Sequence, residues 1–403
     1  VLAENVPRVL GMFVWQGDAN PRSNLPGRPV LDPFLAILFL TGLGRVLVGF
    51  RRPRFALPLI WLAVMVVPTL VTDHAPHFGR AIGATPAVAL LCALGGWTLW
   101  SGATRLGRRW LGIATALLLA LGLIFSGVST ARAYFHTWNR SPDLFYAYDV
   151  GLVKVAEYVN TRPAAEDVYV TPTSREHFTL EFVSQRPFAS FDGRVGLLLP
   201  PAGQAATIIV LLQEDKSSLP ALQRAWPEGQ IVWTLPDDHD RPYAAAYHLP
   251  AARSDFPQPD YPVGASLGDA AQLLGYSLDT QTVAPGGILY LTLYWQALAP
   301  LDRDYTVFTH LLGEHNPATN GPLWAGHDDQ PDGGHYPTGD WQPGQIILDV
   351  HPLTIPVDAP AGEYRLEAGL YLLESMTRLP AISADGNALP GDAVLLGTVE
   401  VQD

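Results

Sequence analysis

Leu59-Ile60-Trp61-Leu62-Ala63-Val64-Met65-Val66-Val67 sets nine apolar residues in a row with no charge among them. It belongs to one of four apolar stretches in the first third of the chain, at about residues 33–50, 55–72, 81–100 and 110–128. Each is close to the roughly 20 residues that a helix needs to cross a bilayer. Backbone polar groups find no water there, so four transmembrane helices are the expected form. The alternative, a helical hairpin buried in a large soluble protein, is disfavoured by uncharged runs of this length.

Arginine settles the expected orientation. Arg51, Arg52 and Arg54 lie between the first and second stretches, with Arg45 just inside the end of the first, and Arg105, Arg108 and Arg109 lie between the third and fourth. Both turns are expected on the cytoplasmic side. Residues 1–32, the loop Thr72-Asp73-His74-Ala75-Pro76-His77-Phe78-Gly79-Arg80 and everything after about residue 133 then fall outside. The expected location is the plasma membrane, crossed several times, with the C-terminal domains extracytoplasmic. Residues 1–13 read as an amphipathic helix lying at the outer interface, with a short buried helix as the alternative. About 30 residues precede the first stretch, too many for it to be a secretory signal, and the start at Val1 leads us to expect a fragment of a longer protein.

Charge divides the chain in the same place. Residues 1–134 carry 12 Arg and no Lys against four acidic residues, a net of +8, which leaves −21 of the overall −13 for the remainder. So acidic an outer part would be repelled by nucleic acid and by anionic headgroups. Cys92, within the third stretch, is the one cysteine, so packed cores rather than disulfides must hold the outer part together.

Residues 135–252 mix periods. Residues 150–159 suit a helix, Val168-Tyr169-Val170 and Ile208-Ile209-Val210-Leu211-Leu212 suit buried strands, and a second helix spans about 219–226, so a small α/β layer domain is expected. A proline-rich joint, Phe256-Pro257-Gln258-Pro259-Asp260-Tyr261-Pro262, leads into residues 253–403, where apolar residues alternate. Leu289, Leu291, Leu293 and Trp295 fall on one strand face; seven or eight short strands predict an all-β sandwich of the immunoglobulin or jelly-roll kind. The fold class is therefore multi-domain: a helical transmembrane bundle, a small α/β domain, then a β-sandwich. Asn139-Arg140-Ser141 matches a glycosylation sequon by chance.

The outer loop is the first candidate for chemistry. Arg80, His77 and His74 stand at the lip of the bundle, where a guanidinium forked onto phosphate oxygens would be strengthened by the low dielectric. A helix starting near Arg80 would add its dipole; otherwise Arg80 snorkels to water and the histidines cap helices. Asp73, His74 and His77 offer types that bind divalent ions, though Pro76 limits how they face one another, and no cofactor is expected. In the sandwich, Trp324, Tyr336 and Trp341, with Trp295 and Asp328, Asp329 and Asp340, would make a sugar-binding face if the rings were exposed, and plug the core if not. No acid spacing matches a calcium loop, and no phosphate loop, paired-cysteine zinc spacing or nucleophile elbow is present.

Gly17-Asp18, Asn24-Leu25-Pro26-Gly27-Arg28-Pro29, Leu31-Asp32-Pro33, Pro76-His77-Phe78-Gly79-Arg80 and Pro86 together resemble the C-terminal membrane part of bacterial GT-C glycosyltransferases, the protein-mannosyltransferase-like group akin to family 39. The tail resembles β-sandwich modules appended to such enzymes. The resemblance implies inverting transfer of a sugar from a polyprenyl-phosphate donor to a glycan or protein acceptor on the outer face, with a carboxylate as general base. In that group the base lies in a first outer loop not matched here, so no catalytic residue is assigned. Arg80, with His77 beside it, is carried over as the donor-phosphate contact; the group's aromatic after that arginine is Ala81 here. The reading from another class is a membrane-anchored module that binds surface glycan or protein without catalysis. A transporter is disfavoured, since no charged site falls at mid-membrane depth.

Overall fold

The computed structural model describes residues 2–253, 256 and 258–402; Pro257 of the proline-rich joint and Val1 of the N-terminal segment lie outside the described residues. The chain divides into two compact units, Val1–Val150 and Gly151–Asp403.

The first unit is helical: α1 Leu2–Gly11, α2 Pro33–Gly49, α3 Pro53–Met65, α4 Val67–Leu70, α5 Phe78–Ala81, α6 Thr85–Arg105 and α7 Arg109–Arg132. Local signals place the boundaries. Asp32 caps α2, its carboxylate accepting the backbone N–H groups of Phe34 and Leu35, and Pro33 occupies the first turn, where its missing N–H costs nothing. Pro68 cannot donate back into the preceding turn, and the helix breaks at Val66 between α3 and α4. Beyond α7 the chain continues through a π-helical turn, Ala133–Thr137, and a 3-10 turn, Trp138–Arg140. In α1, Asn5 turns inward and donates to the carbonyls of Leu70 and Thr72, Val9 is buried, and Leu2, Val6 and Leu10 are exposed.

Among the described residues three helical stretches are long and apolar enough to cross a membrane: Pro53–Leu70, Phe78–Arg105 and Arg109–Arg140. The first of the four apolar stretches is helical too, but α2 has 17 residues and falls short by length. Ile113, Leu117, Leu121 and Phe125 of α7 are exposed. The α2–α6 crossing is very close. A Cβ on Gly42 would stand 1.9 Å from the Leu91 carbonyl oxygen, and one on Gly95 would stand 1.9 Å from that of Leu38. Small residues let the two backbones touch, the usual packing device where lipid supplies no hydrophobic drive between helices.

The second unit contains α9 Val150–Thr161, α10 Phe178–Val183 and α11 Ser218–Ala225, after the short α8 Leu144–Ala147 that ends the first unit. Its strands are β1 Asp167–Thr171, β2 Ala189–Ser190, β3 Gly196–Leu199, β4 Ala206–Leu211, β5 Gln230–Pro236, β6 Pro242–Leu249, β7 Tyr261–Leu267, β8 Ala271–Leu278, β9 Thr282–Val283, β10 Ile288–Ala297, β11 Thr306–Asn316, β12 Gly321–Asp329, β13 Ile346–Thr354, β14 Gly362–Leu372, β15 Thr377–Arg378, β16 Ala381–Ile382 and β17 Val394–Val401. They make three sheets, ordered β2-β1-β4-β6-β5, β16-β7-β8-β10-β13-β3 and β12-β11-β14-β17-β9, with β15 attached to β14. In the first, β1 runs parallel to β2 and β4, while β6 pairs antiparallel with β4 and β5.

The other two sheets form a sandwich. Leu289, Leu291, Leu293 and Trp295 of β10 share one buried core with Val307, Leu311, Leu366 and Val399 from the opposing sheet, and Tyr290 on the other face of β10 is exposed, as period-two alternation predicts. That core runs on without a break into Tyr169, Ile208, Val210 and Tyr247 of the first sheet. One strand crosses the expected boundary near residue 252: β3 lies far upstream of the sandwich, yet it pairs antiparallel with β13, Leu199 opposite Ile346 and Gly196 opposite Asp349.

Candidate functional site

Two cavities in the first unit flank Phe78. Residues 12–31 form the loop between them. Its ends are tied by backbone bonds from Val30 to Met12 and from Leu31 to Phe13, and its middle by Gly17 to Gly27 and Gly27 to Asp18. Gly17 has no substitute: a Cβ there would lie 1.9 Å from the Arg28 carbonyl oxygen. The buried Asp18 carboxylate accepts the backbone N–H groups of Asn20 and Phe78, joining this loop to the start of α5. Trp138 donates to the Pro21 carbonyl at 2.9 Å and Tyr148 to that of Arg22 at 2.9 Å, while the Arg22 guanidinium donates to the Ala147 carbonyl, so the chain leaving α7 clamps the loop from outside.

The larger cavity, about 1240 Å³, is an open groove among α2, α6 and α7 beneath the loop. Its walls are mainly apolar, including Leu35, Val88, Leu119 and Leu123, with Trp97 and Trp100 at its far end. Polar groups gather where the loop meets α7: Ser23, Asn24, Arg28, Thr130 and Tyr134. Thr130 and Tyr134 are four residues apart and share a helix face. The Arg28 guanidinium donates through Nη2 to the Thr130 hydroxyl at 3.0 Å and lies over the Tyr134 ring at 5.6 Å, while Tyr134 donates to Asn24 at 3.0 Å. Arg28 Nη1 is buried and has no hydrogen-bond partner. The nearest acid in sequence, Asp32, is committed to the α2 cap and to the Ser126 hydroxyl.

The smaller cavity, about 1010 Å³, is the more polar of the two and brings the three loop residues read from the sequence together: His74, His77 and Arg80 line it with Asp18, Asp73, Arg8 and Trp15. Arg80 is exposed, and His74 likewise; the His77 backbone donates to the Thr69 hydroxyl at 2.7 Å, and its Nδ1 is buried without a partner. The helix dipole expected at Arg80 is not there. The helix around it, α5, is four residues long and starts before Arg80, and α6 begins at Thr85. Among the described residues no group of three His, Cys, Asp or Glu side chains is placed to hold a metal ion, and Asp73, His74 and His77 do not converge as ligands.

The sandwich aromatics read as a sugar-binding face lie in the core instead. Trp324, Tyr336 and Trp341 are 8%, 2% and 2% exposed. Trp324 packs edge-on to Tyr364 and donates to the Glu314 carbonyl, Tyr336 donates to Gln345, and Trp341 lies against Trp295 and donates to the Tyr336 carbonyl. No ring face is left for a pyranose. Their acids are committed as well: Asp340 pairs with Arg175 at 2.9 Å, and Asp328 lies 3.6 Å from His310.

Two titratable clusters in the second unit have no counterpart in the sequence reading. His310 lies between Asp328 and Glu367, the latter at 3.0 Å. Burial alone would lower its pKa, but hydrogen bonds and charge from the two carboxylates carry it up to about 9. Asp332, in left-handed backbone at φ 58°, accepts the Asp192 N–H and donates its own N–H to Asp349, which in turn holds His351 at 2.7 Å. Burial, with the charges of Asp349 and Asp192 adding to it, pushes the Asp332 carboxyl up to about 8 against the N–H bond from Asp192.

Sequence reasoning quoted Asp18, Asn24, Arg28 and Asp32 without giving them roles. Asp32-Pro33 was readable as a cap and first helical residue. Arg28 carried no such signal, because its isolation arises only when Thr130 and Tyr134 come beside it.

No family model matches the chain, and no curated protein matches it. Among solved structures, the crystal structure of the C-terminal domain of wzt is similar over 36% of this chain and 89% of its own, at 13% identity and a TM-score of 0.23. A likeness of that strength carries no argument.

Proposed function

We propose that this chain is the C-terminal part of an integral-membrane glycosyltransferase that transfers a sugar from a polyprenyl-phosphate donor to an acceptor on the extracytoplasmic face. The observation that carries the reading is the mainly apolar cavity among α2, α6 and α7, whose polar groups cluster where residues 23–28 meet α7. Such a cavity suits a long hydrocarbon tail, and because Phe78 and Gly79 line it while their neighbours His77 and Arg80 line the second cavity, the second cavity takes the charged head. The exposed apolar face of α7 supports the membrane setting, since in water so much apolar surface would be a standing liability. Four crossings, with α2 as a short one, and arginine-rich turns on the cytoplasmic side are part of the same proposal.

In this reading the acceptor hydroxyl oxygen attacks the anomeric carbon, the bond from that carbon to the phosphate oxygen breaks with inversion, and the proton passes to a carboxylate base. The base belongs to an outer loop that is not among these residues. Arg80, with His77 and His74 in the polar cavity, holds the donor phosphate as negative charge grows on it. The second unit shapes access for the acceptor.

The test is sugar transfer by the complete protein in membranes supplied with radiolabelled polyprenyl-phosphate hexose. Transfer that falls at least tenfold in Arg80→Gln supports the reading. Absence of transfer from every polyprenyl-phosphate hexose tried would sink it.

A further inference from the structure

We propose that α10 is a membrane anchor of the second unit, with Phe178 and Phe182 inserted among the headgroups and upper acyl carbons of a lipid bilayer. The proposal rests on the membrane reading above but not on sugar transfer.

Two phenyl rings stand in water where little else apolar does. Phe178 and Phe182 are four residues apart and so share one face of α10. They are 71% and 91% exposed, and among the described residues no large apolar side chain is more exposed than Phe182, those of the membrane-crossing stretches included. Apolar residues exposed singly are ordinary on a protein surface, and Val357 is one here. Two rings on one helical face make a patch, and patches mark contact sites.

The rings are held outward by a fixed scaffold. Leu180, between them in sequence, is fully buried and roots the helix in the unit. The His177 ring accepts the Thr179 N–H at 3.3 Å as a cap and stacks on Phe178 at 4.5 Å. At the other end Asn160 donates to the Val183 carbonyl at 3.0 Å and accepts the Gln185 N–H at 2.7 Å. Tied at both ends, α10 has no slack with which to turn its rings onto the unit's own core.

The tether and the local charge name the occupant. The last stretch able to cross a membrane ends at Arg140 and α9 starts at Val150, a span of at most about 35 Å even if fully extended. A bilayer therefore stays near the second unit at an effective concentration that a free partner does not match. Glu176 and Glu181, both exposed, flank the rings, so anionic headgroups are disfavoured and the partner is a zwitterionic lipid surface, entered through apolar contact alone. Such an anchor turns a unit on a short tether into one with a fixed face toward the bilayer.

The experiment uses the full chain with Cys92→Ala, labelled with bimane at Phe182→Cys, in phosphatidylcholine nanodiscs with and without lipid carrying a nitroxide on its upper acyl chain. Quenching of at least twofold is expected at 182, and none at Val357→Cys, which is 84% exposed in the same unit. Leu121→Cys on α7 checks the membrane reading separately: quenching at 121 without quenching at 182 overturns the anchor alone, and no quenching at either overturns both. Phe178→Ser, at a site too exposed to unfold the chain, is expected to lower quenching at 182 at least twofold, and unchanged quenching overturns the paired anchor. A label at 182 shielded from aqueous iodide yet unquenched by the lipid overturns it too, since protein rather than bilayer would then cover the rings.

Discussion

The carboxylate of Asp18 accepts the backbone N–H of Phe78 at 2.9 Å, joining two segments sixty residues apart on the ridge between the apolar and polar cavities. One buried acid therefore ties a residue that lines the smaller cavity to one that lines the larger. Asp18 is 4% exposed, and its other oxygen holds the Asn20 N–H.

Replacing Asp18 with Ala leaves both N–H groups without their acceptor and is expected to cost about 1–3 kcal/mol. Thermal unfolding of the detergent-purified chain should shift down, and protease should cut within residues 18–32 sooner. An unchanged digestion pattern would show that the ridge does not depend on this carboxylate.

Gly42→Val and Gly95→Val should each push α2 and α6 apart, because the added carbon meets a backbone carbonyl that cannot rotate away. Overpacking of this kind costs typically about 1–3 kcal/mol. Gly44 on the same helix has open space around it, so Gly44→Ala should be neutral or stabilising by up to about 1 kcal/mol. Equal losses in all three variants would refute the close crossing.

His310 binds its proton more tightly in the folded chain, about 9 against an ordinary 6.5. The stability it contributes is complete below about pH 6.5 and is lost as pH rises through about 9. Asp328 and Glu367 are shifted down, so their share is lost at the acid end. Thermal unfolding measured from pH 8 to pH 10, above the range in which Asp332 acts, should decline in wild type and flatten in His310→Gln. A parallel decline in both would assign the slope elsewhere.

Asp332 gives the opposite kind of dependence for an acid. Folded, it keeps its proton up to about pH 8, whereas its ordinary value is 3.8, so stability falls as pH rises between these values and levels off above. Asp332→Asn removes the ionisation, and asparagine tolerates the left-handed backbone at this position. The variant should lose that slope and be at least as stable as wild type at pH 8. A less stable variant at that pH would show that the carboxylate, not the acid, is the required form.

Local signals carried much of this fold. Apolar runs located the helices, the Asp32-Pro33 pair marked a start, and alternation in residues 289–295 identified a strand with one buried face. The break at Val66, inside the stretch read as 55–72, was not anticipated. Long-range contacts could not be read this way. Gly196-Leu197-Leu198-Leu199 contains nothing that names β13 as its partner. The rings at 324, 336 and 341 fit an exposed face or a core equally well until the opposing sheet is in place. The loop histidines and Arg80, close in sequence, line one cavity, whereas Arg28 lines the other and meets Thr130 and Tyr134 only through the fold.

The pairing of β3 with β13 makes the order of synthesis differ from the order of assembly. A ribosome releases Gly196–Leu199 well before Ile346–Thr354 exists, so this edge of the sandwich waits for its partner through about 150 residues of further elongation. Severing the chain at the proline-rich joint would leave β13 an open edge, a template for pairing between molecules. The C-terminal sheets are thus poor candidates for excision as a free-standing module, however much their sequence reads as one.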